Sequence, residues 1–87
     1  MPYIKQDDRK VWDIWLSHKV RPQNILQAGT SNYIITKLCL HFLNRKGECY
    51  DTYNTIIGVL ECAKQEFYRR RISDYEEIKI KLNGDVE

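Results

Sequence analysis

Three consecutive arginines, Arg69 to Arg71, form the most basic stretch of the chain. On a helix, Lys64, Tyr68 and Arg71 fall within two turns on one side, where they would together recognise a phosphate or a carboxylate. The alternative is structural, because cations near the C-terminus of a helix interact favourably with the helix dipole. The sequence leaves both interpretations open.

Two glutamates on the same predicted helix, Glu61 and Glu66, are the carboxylates to consider as metal ligands. All-α nucleotide pyrophosphohydrolases hold magnesium with acidic residues that are typically three positions apart. Five positions turn a helix by about 500°, so these two carboxylates point roughly 140° apart and cannot share one ion. We expect Glu66 to pair with Arg69 or Arg70. Glu61, expected to be the better buried carboxylate, is left to contact a ligand.

The other residues that could do chemistry predict neither catalysis nor metal binding. His18 and His41 have no ligand-like spacing, and no neighbour in sequence is placed to activate Cys49. The chain has no Gly-rich phosphate loop, no G-x-S-x-G motif and no zinc pattern. We therefore predict a protein without a cofactor and without enzymatic activity. A magnesium-dependent nucleotide hydrolase of the all-α kind stays as an alternative.

The candidate residues lie on, or just after, the longest segment with helical periodicity, residues 54–71. Ile56, Leu60, Ala63 and Phe67 recur there at the spacing of one helix face. Asp51 or Thr52 is predicted to cap this helix. Gly58, inside it, predicts the close approach of another helix or of a ligand.

Cap and turn signals place three more helices. The first is capped by Asp7 or Asp8 and stops before Pro22. After a loop over residues 22–31, the second begins at Ser31 or Asn32 and closes at Gly47. The residues Ser-Asp-Tyr-Glu at 73–76 form a capping box, which predicts a break after Arg71 and a fresh helix over residues 74–83.

The predicted fold is therefore all-α, a single domain over residues 1–87. It is a small helical bundle of three main helices, with a short C-terminal helix and an extended N-terminal arm. Residues 78–82 also alternate like a strand, but their charge spacing favours a helix. Tyr33, Leu40 and the two tryptophans of the first helix predict a homo-oligomer, because apolar residues off the main stripe indicate a second buried surface.

Composition excludes several classes of protein. A formal net charge of +2 disfavours nucleic-acid binding and a strongly acidic DNA mimic alike. Three cysteines without a C-x-x-C pair predict reduced thiols, with Cys39 and Cys62 buried, in a cytoplasmic protein. Charged residues at positions 7–10 interrupt any N-terminal apolar run, and no segment approaches the ~18 apolar residues that a membrane span needs.

Several segments together resemble one family of small proteins. They are Met-Pro-Tyr-Ile-Lys-Gln at 1–6, Asp-Arg-Lys at 8–10, Asn-Tyr at 32–33, Ile-Thr-Lys-Leu at 35–38, Gly-Val-Leu-Glu-Cys-Ala-Lys at 58–64, Glu-Phe-Tyr-Arg-Arg at 66–70 and Asn-Gly-Asp-Val at 83–86. The family is found in phages, prophages, bacteria and archaea and is known as a domain of unknown function. The resemblance covers nearly the whole chain. It implies relatives rather than an activity.

The chain departs from its relatives in two places. Gly-Thr-Ser-Asn-Tyr at 29–33 stands where they tend to have Gly-Glu-Leu-Asn-Tyr, and Arg-Ile-Ser-Asp at 71–74 stands where they have a Val-Ala-Pro segment. The phage association implies a small accessory or counter-defence protein, one that sequesters a nucleotide-like anionic signal molecule in the cytoplasm of a host. The alternative is a protein-interaction module that inhibits a host factor. The residues predicted to bind the ligand are Tyr3, Glu61, Lys64, Tyr68, Arg69, Arg70 and Tyr75.

Overall fold

A computed structural model of the chain describes residues 4–19 and 27–87, and every regular element in those ranges is helical. Helix α1 spans Gln6–Lys19 and helix α2 spans Ala28–Lys46. Helix α3 spans Tyr50–Phe67, a π-helical segment spans Tyr68–Ile72, and helix α4 spans Ser73–Asn83. The all-α class is confirmed, as is the helix predicted over residues 78–82.

The chain divides into two compact units, Met1–Lys46 and Gly47–Glu87. The first contains α1 and α2, and the second contains α3, the π-helical segment and α4. The single domain predicted from chain length stays a prediction. Residues 1–3 of the predicted arm, with Tyr3, and residues 20–26 of the predicted loop lie outside the described residues.

In the first unit, both helices begin earlier than predicted. Helix α1 begins at Gln6, so Asp7 and Asp8 lie in its first turn, where negative charge favours the helix dipole. Helix α2 begins at Ala28, so the end of the loop predicted over residues 22–31 is wrong. The N–H of Ser31 already donates to the carbonyl of Gln27 at 3.1 Å, so the helical hydrogen bonds override the local preference of these small residues. Gly47 follows α2 with φ +98°, as expected of a glycine that ends a helix.

Helix α3 also begins earlier than predicted. Its N-cap is Cys49, with extended backbone, so the cap predicted at Asp51 or Thr52 is wrong. Thr52 lies inside the first turn with only 1% of its surface exposed, and its hydroxyl is 3.3 Å from the Cys49 sulfur. Hydrogen bonds from the Thr52 side chain and backbone lower the pKa of the Cys49 thiol.

The predicted burial of the thiols is only partly correct. All three cysteines are free, with Cys39 half-buried and both Cys49 and Cys62 exposed. Cys62 follows Glu61 on α3, and it lies about 130° from the apolar face of that helix.

The predicted break after Arg71 is wrong. Phe67, Ile72 and Ser73 all keep helical backbone angles, and the N–H of Ser73 donates to the carbonyl of Tyr68, five residues back. A hydrogen bond of this span defines a π-helical turn, which holds more residues than an α-helical turn. The helix therefore continues from Tyr50 to Asn83 without a stop, and the capping box does not start a new one.

The π-helical turn keeps one apolar face in phase along this continuous helix. In an uninterrupted α-helix, Ile72, Tyr75 and Leu82 would lie between about 50° and about 130° from the face formed by Leu60 and Phe67, whereas Ile78 would lie close to it. One extra residue taken up by a π turn brings Ile72, Tyr75 and Leu82 to within about 50° of this face and turns Ile78 about 90° away from it. We call the resulting face the C-terminal stripe; it consists of Ile56, Leu60, Ala63, Phe67, Ile72, Tyr75 and Leu82.

Large apolar side chains are exposed on every described helix. Trp12 of α1 is 55% exposed, Tyr33 of α2 63%, Phe67 of α3 62% and Leu82 of α4 71%. Among the described residues, no helix has the length and apolar character that a bilayer span requires. The exposed apolar surface is the main physical feature that a function has to explain.

Replacing Gly58 by alanine tests whether anything approaches the middle of α3. In the part of the chain that the structure describes, no atom other than those of its two chain neighbours and the nearby backbone of its own helix lies within 4 Å of a Cβ built at Gly58. We expect Gly58→Ala to raise the free energy of unfolding by about 1 kcal/mol, because alanine favours a helix interior. Gly47→Ala, at φ +98°, is the matched control and should destabilise the protein. Thermal unfolding followed by circular dichroism measures both, and a loss of stability in Gly58→Ala would show that a partner does approach there.

Candidate functional site

The candidate residues of the second unit are organised around Glu66. Arg69 Nη2 donates a hydrogen bond to Glu66 Oε1 at 2.9 Å, and Arg70 Nε donates to the same oxygen. Helical neighbours three and four positions apart make these contacts, as predicted. The side chain of Glu66 is 24% exposed and that of Glu61 51%, so the expectation that Glu61 is the better buried carboxylate is wrong.

The ionisation of Glu66 makes the stability of the fold depend on pH, and this dependence can be measured. The hydrogen bonds from Arg70 and Arg69 lower its pKa from 4.5 to about 2. Because the folded pKa lies below the unfolded one, the stabilisation is present above about pH 4.5 and is lost as the pH falls towards 2. We expect Glu66→Gln to be less stable than the wild type at neutral pH and to lose this part of the pH dependence. Helix content and melting between pH 6 and about pH 2 test this; parallel curves for the two proteins would contradict it.

Glu61 and Lys64 form a second, separate pair on α3. Their charged atoms are 3.0 Å apart, and Gln65 Nε2 donates to Glu61 at 3.1 Å. The hydrogen bond from Lys64, followed by that from Gln65, lowers the pKa of Glu61. Both members of the ion pair are largely exposed, and such pairs contribute little stability because water and salt screen them. In this conformation each charge is balanced by its neighbour on the helix.

Tyr68 makes a contact that spans the π-helical segment. Its hydroxyl donates to Glu76 Oε1 at 2.5 Å, and this bond raises the pKa of Tyr68. Sequence reasoning missed Glu76, because a separation of eight residues is out of phase in an α-helix. Tyr75 lies further along the chain, where the Lys79 ammonium sits 5.5 Å from the centre of its ring.

The structure places these residues along the helix rather than around one pocket. Glu61 and Tyr75 are separated by fourteen positions, which corresponds to roughly 20 Å along a helix axis. Tyr68, Arg69 and Arg70 lie between them. Glu61 and Tyr75 therefore lie too far apart on the helix to contact one small ligand together, and Tyr3 lies outside the described residues.

The carboxylate of Glu66 limits how an anion can bind to the neighbouring arginines. An anion that approaches Arg69 and Arg70 has to displace Glu66, whose oxygen already accepts from both. Arg71 is exposed at the end of the basic run. No group of three or more His, Cys, Asp or Glu residues in the described ranges is placed to hold a metal ion.

Helix α2 carries an apolar hollow that sequence reasoning did not single out. It has a volume of about 410 Å³ and is lined by Leu38, His41, Phe42, Arg45 and Lys46. These positions recur at three- and four-residue spacing, which is the periodicity of one helix face. The hollow belongs to the first unit, whereas the described candidate residues all belong to the second.

One family model matches the sequence, and it covers residues 1–86. Its description is "Domain of unknown function (DUF6899)". No curated protein matches the chain, and no solved structure does.

Proposed function

Since the chain belongs to this family of unassigned function, we propose from its own residues that it is a protein-interaction module. The observation that supports this is the C-terminal stripe, which runs along one continuous helix and is exposed at most of its positions. Amphipathic helices bind by laying such a face into a hydrophobic groove of a partner protein. The occupant of the stripe is a partner protein with an apolar groove. In a phage or prophage setting, such binding would inhibit a host factor.

The size of the stripe suits a stable complex. Residues 50–83 span roughly 50 Å at the rise of an α-helix, longer than a small domain is wide. Phe67 is 62% exposed and Leu82 71%, so burying each gains about 1–2 kcal/mol. A few such anchors supply most of the binding free energy of a typical interface. Lys64, about 70° from the centre of the stripe, is a charged residue on its flank that adds orientation rather than affinity.

Phe67→Glu, compared with Asn54→Glu, tests this function. Phe67 lies at the middle of the C-terminal stripe, whereas Asn54 lies about 150° away on the same helix. A protein that the wild-type chain captures from cell lysate is identified, produced in pure form and titrated against all three chains. We expect Phe67→Glu to weaken the dissociation constant at least about 10-fold and Asn54→Glu to leave it within about twofold. Equal binding by Phe67→Glu, or no binding by the purified protein, would refute the proposal.

The π-helical segment favours a second candidate function, the sequestration of a nucleotide-like anion. π-helical turns occur frequently at functional sites, and this one carries Arg69, Arg70 and Arg71. Guanidinium groups bind phosphates in bidentate fashion, and Tyr68 adds a phenol beside them. Native mass spectrometry of the freshly purified protein tests this candidate. A bound mass of a few hundred daltons that disappears in Arg70→Ala supports it, and an unmodified mass contradicts it.

A further inference from the structure

Helix α1 carries an apolar face whose order of residues is the same in both directions. Val11, Trp12, Trp15 and Leu16 read aliphatic, tryptophan, tryptophan, aliphatic, and the centre of this pattern falls between positions 13 and 14. At about 100° per residue, all four lie within one sector of the helix. Each is exposed: Val11 by 65%, Trp12 by 55%, Trp15 by 45% and Leu16 by 48%. We call these four residues the tryptophan face.

We propose that the tryptophan face binds the tryptophan face of a second copy of this chain in an antiparallel pair of α1 helices. In a two-fold interface, each residue meets the position related to it by the symmetry axis. An axis between positions 13 and 14 places Val11 against Leu16 of the second copy and Trp12 against Trp15 of the second copy. The reverse contacts follow from the same axis, so every apolar residue finds an apolar partner. A partner with an unrelated sequence has no reason to match this symmetric order.

The two tryptophans are already arranged for such a contact. Their ring centres are 6.5 Å apart and their planes meet at 74°, which is a favourable edge-to-face geometry. Tryptophan is enriched among the residues that dominate binding energy at protein interfaces. The pair therefore offers a preorganised aromatic anchor, and the two-fold axis brings four rings together at the centre of the interface.

The area is sufficient for a stable dimer. The exposed parts of the four residues amount to roughly 400 Å² per chain, with most of it from the tryptophans. Two copies bury roughly 800 Å² of apolar surface. A specific interface buries at least about 1,000 Å² in total, so this apolar area needs only a modest polar rim to reach that bound. A formal net charge of only +2 leaves little repulsion between copies.

Ile14 provides a matched control within the same helix. It is 60% exposed, similar to the residues of the tryptophan face. However, it lies about 130° from the centre of that face. Ile14→Ala therefore removes a comparable exposed side chain from outside the tryptophan face. If α1 dimerised through nonspecific hydrophobic contacts, substitution of Ile14 and substitution of the tryptophans would both weaken the dimer.

Sedimentation equilibrium of the full chain measures the dimer. We expect the Trp12→Ala/Trp15→Ala double variant to dimerise at least about 10-fold more weakly than the wild type, and Ile14→Ala to stay within about twofold. The substituted residues are all exposed in the single chain, so the fold does not depend on them. A monomer at every concentration, or equal weakening by Ile14→Ala, would overturn the proposal.

Disulfide trapping tests the register independently. Val11→Cys and Leu16→Cys are made in separate chains whose three native cysteines are replaced by serine, and the two chains are mixed under oxidising conditions. We expect the mixed disulfide to form in clear excess over either homodisulfide, because only the antiparallel register places position 11 beside position 16 of another chain. Homodisulfides in equal or greater amount would refute the register. Since both chains keep the C-terminal stripe, this result is independent of the function proposed for it.

Discussion

Inserting one alanine after Arg71 is expected to weaken binding through the C-terminal stripe about 100-fold. The insertion adds a second extra residue to a helix that accommodates only one in its π turn. Helix α4 then rotates by about 100°, so Tyr75 and Leu82 leave the face that Phe67 occupies. Losing these contacts at about 1–2 kcal/mol each accounts for the expected change in affinity. Titration of the partner protein measures the affinity, and circular dichroism is expected to show unchanged helix content.

Deleting Arg71 is the informative counterpart. The deletion removes the extra residue, so the π turn reverts to an α-helical turn and the stripe stays in phase. We expect partner affinity to stay within about threefold of the wild type, despite the loss of a charged residue. An ordinary helix without a phase-correcting turn would suffer equally from deletion and insertion. Equal damage by both changes would therefore show that the π turn does not align the stripe.

Periodicity predicted α3 well because the signal extends over many residues. Ile56, Leu60, Ala63 and Phe67 recur over three turns, and a packing face of that length dominates any single local preference. The capping box at residues 73–76 misled the prediction, because Ser and Glu three positions apart are a short signal. Ile72, Tyr75 and Leu82 share a face with Leu60 and Phe67 only when an extra residue is absorbed between them, whereas Ile78 fits that face without one. Helical spacing alone therefore does not predict the π turn.

Some features of the candidate site were likewise predictable from the sequence, and others were not. The contacts of Glu66 with Arg69 and Arg70 follow directly from helical spacing and were predicted. The relative burial of Glu61 and Glu66 was not, since burial depends on which neighbours fold over a side chain. The bond between Tyr68 and Glu76 depends on the π turn, so no α-helical spacing rule predicts it. Helical spacing identified most residues of the candidate site. It did not predict how the π turn rotates α4 relative to α3.

The thermal stability of the protein is expected to rise with its concentration. Large apolar side chains are exposed on every described helix, including Trp12, Leu40 and Phe67. Burying such surface is the dominant favourable term in folding, so a chain that leaves it in water gains stability when copies associate. For a dimer of this chain length, each tenfold rise in concentration should raise the melting temperature by about 4 °C. Circular dichroism melts over a hundredfold range of concentration would therefore shift by about 8 °C.

A control variant separates the effect of association on the melting temperature from a loss of stability within the single chain. Glu66→Gln removes the negative charge that Arg69 and Arg70 share, at a position away from the apolar face. It should lower the melting temperature at every concentration while leaving the slope against concentration unchanged. Trp12→Ala/Trp15→Ala should instead reduce the slope, because it removes the proposed contact between copies and leaves the single helix intact. Melting temperatures that stay constant over the whole range would show that each chain covers its own apolar surface, and association would then have no part in folding.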